Sequence, residues 1–112
     1  MKKLLSVLVV LLAGCVSSET QLAADGNWHQ IGYQDGVKGH TERSYRALSK
    51  LGAANQAEYD QGYEEGILEY CNPNVAYQIG LNGQEYMGVC DHLKSGQKFR
   101  MEWQRGWRDY NQ

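Results

Sequence analysis

The sequence predicts a mainly α-helical fold, a small bundle of about four short helices packed through glycine and tyrosine. Two observations carry this. Apolar and glycine positions recur at helical spacing in four places, and no segment sustains the period-two alternation of a half-buried strand. The composition also pairs thirteen glycines with eight tyrosines and three tryptophans against a single phenylalanine, and many of these fall in an aromatic-x-x-Gly pattern. The alternative is a β-rich domain in which the glycines mark turns.

The helical stripes follow in chain order. Trp28, Ile31, Gly32, Gly36 and Gly39 form the first. Tyr45, Leu48 and Leu51 form a shorter one, opened by Thr41 and closed by Gly52. Tyr59, Gly62, Tyr63, Gly66, Ile67 and Tyr70 form the cleanest, preceded by Asn55 and Glu58 in the spacing of a capping box. Pro73, which cannot continue a helix, ends it. Phe99, Trp103, Gly106, Trp107 and Tyr110 form the last, with Ser95 as the expected cap. Residues 75–90 fit either a short helix followed by a turn or a hairpin around Asn82-Gly83.

Glycine inside a helix costs roughly 1 kcal/mol against alanine. Gly32, Gly36, Gly62, Gly66 and Gly106 are therefore expected to gain close approach of another backbone or of an aromatic ring. The cores beginning at Tyr33, Tyr59, Tyr77 and Trp103 are unevenly spaced and read as a reused packing device, not a repeat array. Glu58 to Glu69 holds five acids, and Lys94 to Arg108 holds five bases and one acid, so these two helices are expected to lie side by side. Each exposed pair would contribute only about 0–1 kcal/mol.

The N-terminus differs from the rest. Lys2 and Lys3 precede an uncharged apolar run from Leu4 to Gly14. That layout is a secretory signal, and it is shorter than the roughly 20 apolar residues of a membrane span. Leu12-Ala13-Gly14-Cys15 resembles the lipobox of bacterial lipoproteins. The resemblance implies diacylglycerol on the Cys15 thiol, cleavage before that residue, and acylation (palmitate) of the new amino group. Val16, in place of the aspartate that retains such proteins at the inner membrane, implies the outer membrane and its periplasmic face. Several acyl chains make such an anchor stable. The expected organisation is a signal peptide over 1–14, a lipidated Cys15 with a flexible tether to residue 27, and one helical domain over 28–112.

Without Lys2 and Lys3 the chain keeps nine basic and thirteen acidic side chains. This acidic balance excludes nucleic acid as an expected partner. With Cys15 lipidated, Cys71 and Cys90 remain, and export places them where disulfides persist. One bridge between them is expected, closing a loop worth roughly 3 kcal/mol in a small domain. A metal site or free thiols are the alternatives.

Four blocks, "IGYQDGVKG", "YDQGYEEGILEYC", "YQIGLNGQEYMGVC" and "FRMEWQRGW", resemble the YfiL-like group of small bacterial lipoproteins, a domain-of-unknown-function family. The resemblance spans about Trp28 to Trp107. Asp35-Gly36, Tyr70-Cys71 and Gly88 to Cys90 are its most telling features. Members often carry a further cysteine between the first two blocks, which this chain lacks, so the resemblance also implies a single bridge. It implies localisation and topology and brings no reaction.

No catalytic motif occurs, and His29, His40 and His92 are scattered without the paired spacing of a zinc site. No metal or cofactor is expected. Asp35, beside the glycine face, is expected to cap a backbone group or to accept from a tyrosine hydroxyl. Tyr and Trp need polar partners when buried. Their excess, at Trp28, Tyr59, Tyr63, Tyr70, Trp103 and Trp107, implies either a glycine-packed helix interface or an aromatic platform. The expected function is a non-catalytic interaction module that binds an envelope protein or itself. The alternative is a peptidoglycan- or glycan-binding module. A small hydrolase, using a pair among Glu64, Glu65 and Glu69, is the third reading.

Overall fold

A computed structural model describes residues 18–112. Among these residues the chain forms six helices and no strand: α1 (Ser18–Ala24), α2 (Trp28–Val37), α3 (Tyr45–Ser49), α4 (Gln56–Tyr70), α5 (Pro73–Leu81) and α6 (Gly96–Tyr110). The signal segment, the lipobox and Cys15 lie outside the described residues. Part of the expected tether is a helix instead. α1 holds Ala23 buried and Leu22 against the core, and Glu19 ion-pairs with Arg43. A short polar segment gains helical order here because it has a surface to pack on.

Caps explain the boundaries. Asn27, Ser44, Asn55 and Asn72 each accept a backbone N–H from the first turn of α2, α3, α4 and α5. The short helix α3 is thus opened by Ser44, not by Thr41, because Ser44 places its hydroxyl on the Ala47 amide. Asn72-Pro73 both ends α4 and starts α5, since proline suits the first helical position. Residues 75–90 take the helix-then-turn form. Ser95 stands at the N-cap of α6 but makes no side-chain cap, because its hydroxyl turns to the Cys71 carbonyl at 3.4 Å.

Helix α2 packs on α4, and α5 on α6, as two hairpins. Glycine decides both pairings. A methyl group placed on Gly32 would fall 2.1 Å from the Tyr59 carbonyl oxygen, and one on Gly62 would fall 1.9 Å from that of His29. One turn on, Gly36 faces the Tyr63 carbonyl at 2.5 Å and Gly66 the Tyr33 carbonyl at 2.4 Å. In the second hairpin Gly80 faces the Trp103 carbonyl at 2.2 Å and Gly106 the Tyr77 carbonyl at 2.0 Å. Every crossing is reciprocal. Each glycine meets the carbonyl of the residue three positions before the partner glycine.

The two hairpins are copies of one unit. α4 and α6 are both 15 residues long and begin at Gln56 and Gly96. Tyr33 donates to Glu69 across the first hairpin, and Tyr77 to Asp109 across the second. Gly39 (φ +72°) receives the Tyr70 ring, and Gly83 (φ +79°) receives the Tyr110 ring. The amide of His40 donates to the Asp35 carbonyl, and that of Gln84 to Ile79. The His40 carbonyl accepts from the Tyr63 hydroxyl at 2.7 Å, and the Gln84 carbonyl from the Trp103 indole at 2.8 Å. The unit therefore repeats at forty-four positions in its first helix and forty in its second. The uneven motif spacing reflects a shorter connecting loop, which corrects the reading of a mere packing device. Matching Tyr59-x-x-Gly62 to Trp103-x-x-Gly106 misses the register by one helical turn; Tyr63 and Gly66 are the true equivalents.

Cys71 and Cys90 form the expected disulfide, with Cα atoms 5.5 Å apart, tying the two hairpins together. Tyr70 and Phe99 pack across the same junction, with ring centroids 5.3 Å apart. Charge does not choose the neighbours. Among the described residues no ion pair joins α4 to α6; α4 instead pairs with His29 and His92, and Arg100 with Asp91. Backbone contact through glycine outweighs exposed ion pairs, each worth at most about 1 kcal/mol.

Candidate functional site

The first hairpin carries a buried carboxylate. Asp35 on α2 is 8% exposed and packed beside Gly36. Its Oδ2 accepts from the Tyr59 hydroxyl at 2.6 Å and from Arg43 Nε at 2.8 Å, and its Oδ1 accepts from Arg43 Nη2 at 3.1 Å. Arg43 grips it with two parallel bonds, the geometry that suits guanidinium to carboxylate. The same guanidinium reaches Glu19 of α1, while the Arg43 amide donates to the Tyr59 hydroxyl at 3.0 Å. His40 Nδ1 lies 4.0 Å from Asp35 Oδ1.

The charges act on one another as these contacts demand. Burial, then the Asp35 hydrogen bond, pushes the Tyr59 hydroxyl above the usual phenol range. Glu19 and Asp35 hold Arg43 more firmly protonated than usual. Burial and nearby acids push Tyr63 up to about 12. Beside the cluster, the Asp60 carboxylate and partial burial push the Glu42 carboxyl up to about 7.

This cluster lines a pocket of about 440 Å3, bounded by Glu19, Asp35, Lys38, His40, Thr41 and Arg43. A second pocket, of about 730 Å3, lies between the hairpins, with Val37 to Thr41 and Tyr70 from the first and Ile79, Gln84, Glu85 and Met87 from the second. Positions 35, 40, 41 and 43 of the first become Ile79, Gln84, Glu85 and Met87 in the second. Tyr59 becomes Phe99. One unit therefore lines its pocket with an ion cluster, and the other sets Ile79 and Met87 at the positions of Asp35 and Arg43. The turn after α2 forms the opposite wall, bringing Lys38 and His40 to the same cavity.

The residues singled out in the sequence separate into two groups. Trp28, Tyr59 and Tyr63 are buried, and Gly36, Gly62, Gly66 and Gly106 are buried at the crossings. These residues build the unit. Tyr70 lines the larger pocket and Asp35 the smaller. Trp103 and Trp107 stack with centroids 5.3 Å apart, and Tyr110 continues the stack at 5.8 Å. Sequence reasoning set His40 aside as one of three scattered histidines and missed Glu19, Arg43, Ile79, Glu85 and Met87. The forty-four-residue offset between Tyr33 and Tyr77 would have found the last three as equivalents of Asp35, Thr41 and Arg43.

A duplicated, disulfide-linked helical hairpin with two diverged pockets defines the class. Residues 27–108 match the family described as protein of unknown function (DUF2799), and the chain belongs to it. No curated protein and no solved structure matches the chain.

Proposed function

We propose that the chain is a lipid-anchored binding module of the bacterial envelope. It is held through Cys15 at the outer membrane, faces the periplasm, and engages an envelope protein without catalysis. The YfiL-like lipoprotein resemblance and the Leu12–Cys15 lipobox support the anchor. The divergence of the two pockets supports the binding role. One copy carries the Asp35–Arg43–Glu19 ion cluster, while the other carries Ile79 and Met87 where Asp35 and Arg43 stand. The larger pocket offers Glu85 as its carboxylate, whereas glycoside hydrolysis calls for a pair.

Two measurements on the full-length protein in intact cells test this reading. Incorporation of an alkyne palmitate analogue is expected in the natural protein and lost in Cys15→Ser. A photoreactive benzophenone side chain, placed in turn at His40, Met87 and Tyr110, is expected to give a discrete protein adduct from at least one position. An anchored protein with no adduct at any of them sinks the reading.

The second reading, peptidoglycan binding, draws on the Trp103–Trp107–Tyr110 stack, whose last ring is 53% exposed. Aromatic stacking on sugar resists salt. Sedimentation with purified peptidoglycan that persists at high salt and fails in Trp107→Ala would favour it.

A further inference from the structure

Helix α1 turns back along α2. The Gly26 amide donates to the Ala23 carbonyl and the Asn27 amide to that of Leu22, so the chain reverses within a few residues. Ala23 is buried and Leu22 rests on the core. At the other end of α1, the Glu19 carboxylate accepts from Arg43, which also holds Asp35 near the end of α2. The start of α1 therefore lies where α2 finishes, beside Lys38, His40 and Thr41, which share a pocket with Glu19. The opposite end of α2 is about 15 Å away, at ~1.5 Å per helical residue. There a methyl group on Gly52 would touch the Trp28 ring at 3.9 Å.

Glu19 follows Cys15 by four residues, a span of at most ~14 Å even when fully extended. We propose that a lipid on Cys15 sets this end of the first unit, Glu19 with Lys38, His40, Thr41 and Arg43, against the phospholipid surface. The inference rests on the anchored reading above and names the face and what it meets. With α1 undocked, the chain from Cys15 to Asn27 could extend to ~40 Å, and no face would be selected. Docking of Glu19, Leu22 and Ala23 removes most of that reach. Reach, more than charge, selects the face. Exposed Lys38 and His40 stand where anionic headgroups attract cations, yet Glu42 is exposed close by and the Glu19 charge is paired with Arg43.

The test uses the full-length protein, purified in detergent and reconstituted into vesicles of phosphatidylethanolamine and phosphatidylglycerol that carry a nitroxide-headgroup quencher. A fluorophore on Thr41→Cys is expected to be quenched at least twofold more than one on Ala53→Cys, beside Gly52 at the Trp28 end. Both side chains are exposed, so labelling disturbs no packing. Insertion of about ten Gly and Ser residues immediately before Ser18 adds a flexible reach of ~17 Å and leaves the contacts of the folded body in place. It should remove most of the difference between the two positions. Equal quenching at both, or stronger quenching at Ala53, overturns the proposal and leaves the anchored module standing. A difference that survives the insertion shows that chain reach does not set the face, and overturns it as well. A chain that does not float with the vesicles lacks the anchor and removes both readings.

Discussion

The Tyr59 hydroxyl donates to the Asp35 carboxylate at 2.6 Å, and at the equivalent positions the second copy of the same unit carries Phe99 and Ile79. One backbone thus supports a hydrogen-bonded ion cluster in one copy and plain apolar packing in the other. A single-site change in the first copy strands the partners: Asp35→Ala is expected to lose about 2–3 kcal/mol, the scale of hydrogen bonds to a charged group. The triple change Asp35→Ile, Arg43→Met, Tyr59→Phe, which installs the second copy's residues, should recover most of that loss, since replacing a whole buried ion pair is often near neutral. Urea unfolding of the single and triple variants checks this. A triple variant less stable than Asp35→Ala contradicts the equivalence.

Glycine at the crossings is expected to be intolerant for a reason helix propensity does not contain. Alanine would improve the propensity of α6 at position 106 by about 1 kcal/mol. Its methyl group would meet the Tyr77 carbonyl oxygen at 2.0 Å, so the helices must part. Gly106→Ala should therefore destabilise by about 3 kcal/mol or more, at or beyond the upper end of core overpacking. Gly26→Ala has open space around it and only a positive φ to strain, so it should cost about 1 kcal/mol. Thermal unfolding of the two variants side by side gives the comparison.

The disulfide joins the two copies across a sequence separation of 19. Chain entropy assigns such a loop roughly 3 kcal/mol. Cys71→Ala with Cys90→Ala is expected to lower the urea midpoint accordingly. The glycine crossings within each hairpin do not involve the bridge, so far-ultraviolet circular dichroism should keep its helical shape in the absence of denaturant. Loss of that signal in water would show that neither hairpin holds without the link.

Stability should rise on acidification from about pH 8 to about pH 5. The Glu42 carboxyl, with Asp60 against it, is pushed up to about 7 in the folded chain from an ordinary value of 4.5. A raised folded-state pKa means that the native state binds the proton more tightly. Its contribution is complete below the unfolded value and is lost as pH rises through about 7. Glu42 is exposed, so solvent screens the effect and only the direction is assigned. The difference in urea midpoint between natural protein and Glu42→Gln, followed from pH 5 to 8, isolates this group. A difference that does not vary with pH refutes the assignment.

Much of the helical content was legible because its signals are local. Asn55 before Glu58, Asn72 before Pro73 and the Tyr59–Tyr70 stripe each declare themselves within a few residues. The close approach at Gly62 and Gly66 was also legible, since mid-helix glycine has a cost that needs an offsetting contact. Which helices pair was not. Opposite charge on α4 and α6 is conspicuous in sequence, yet its energy is small beside backbone contact, and the charges face other partners. α1 escaped notice because its seven residues carry no stripe and take their order from packing. Asp35 was legible as the acceptor for a tyrosine hydroxyl, which Tyr59 supplies, but Arg43 and Glu19 escaped because they converge on it only after folding. The second pocket is recognised by what it lacks, Ile79 and Met87 where ions stand in the first.

The reciprocal glycine crossings have a genetic consequence. A collision between side chains can be relieved elsewhere, by trimming whichever neighbour is in the way. At Gly62 and Gly106 the opposing atom is a main-chain oxygen, which every amino acid carries. Suppressor screens starting from alanine at either position should thus return reversion of the same codon, or remote changes that raise stability in general, and never a compensating reduction in the facing helix.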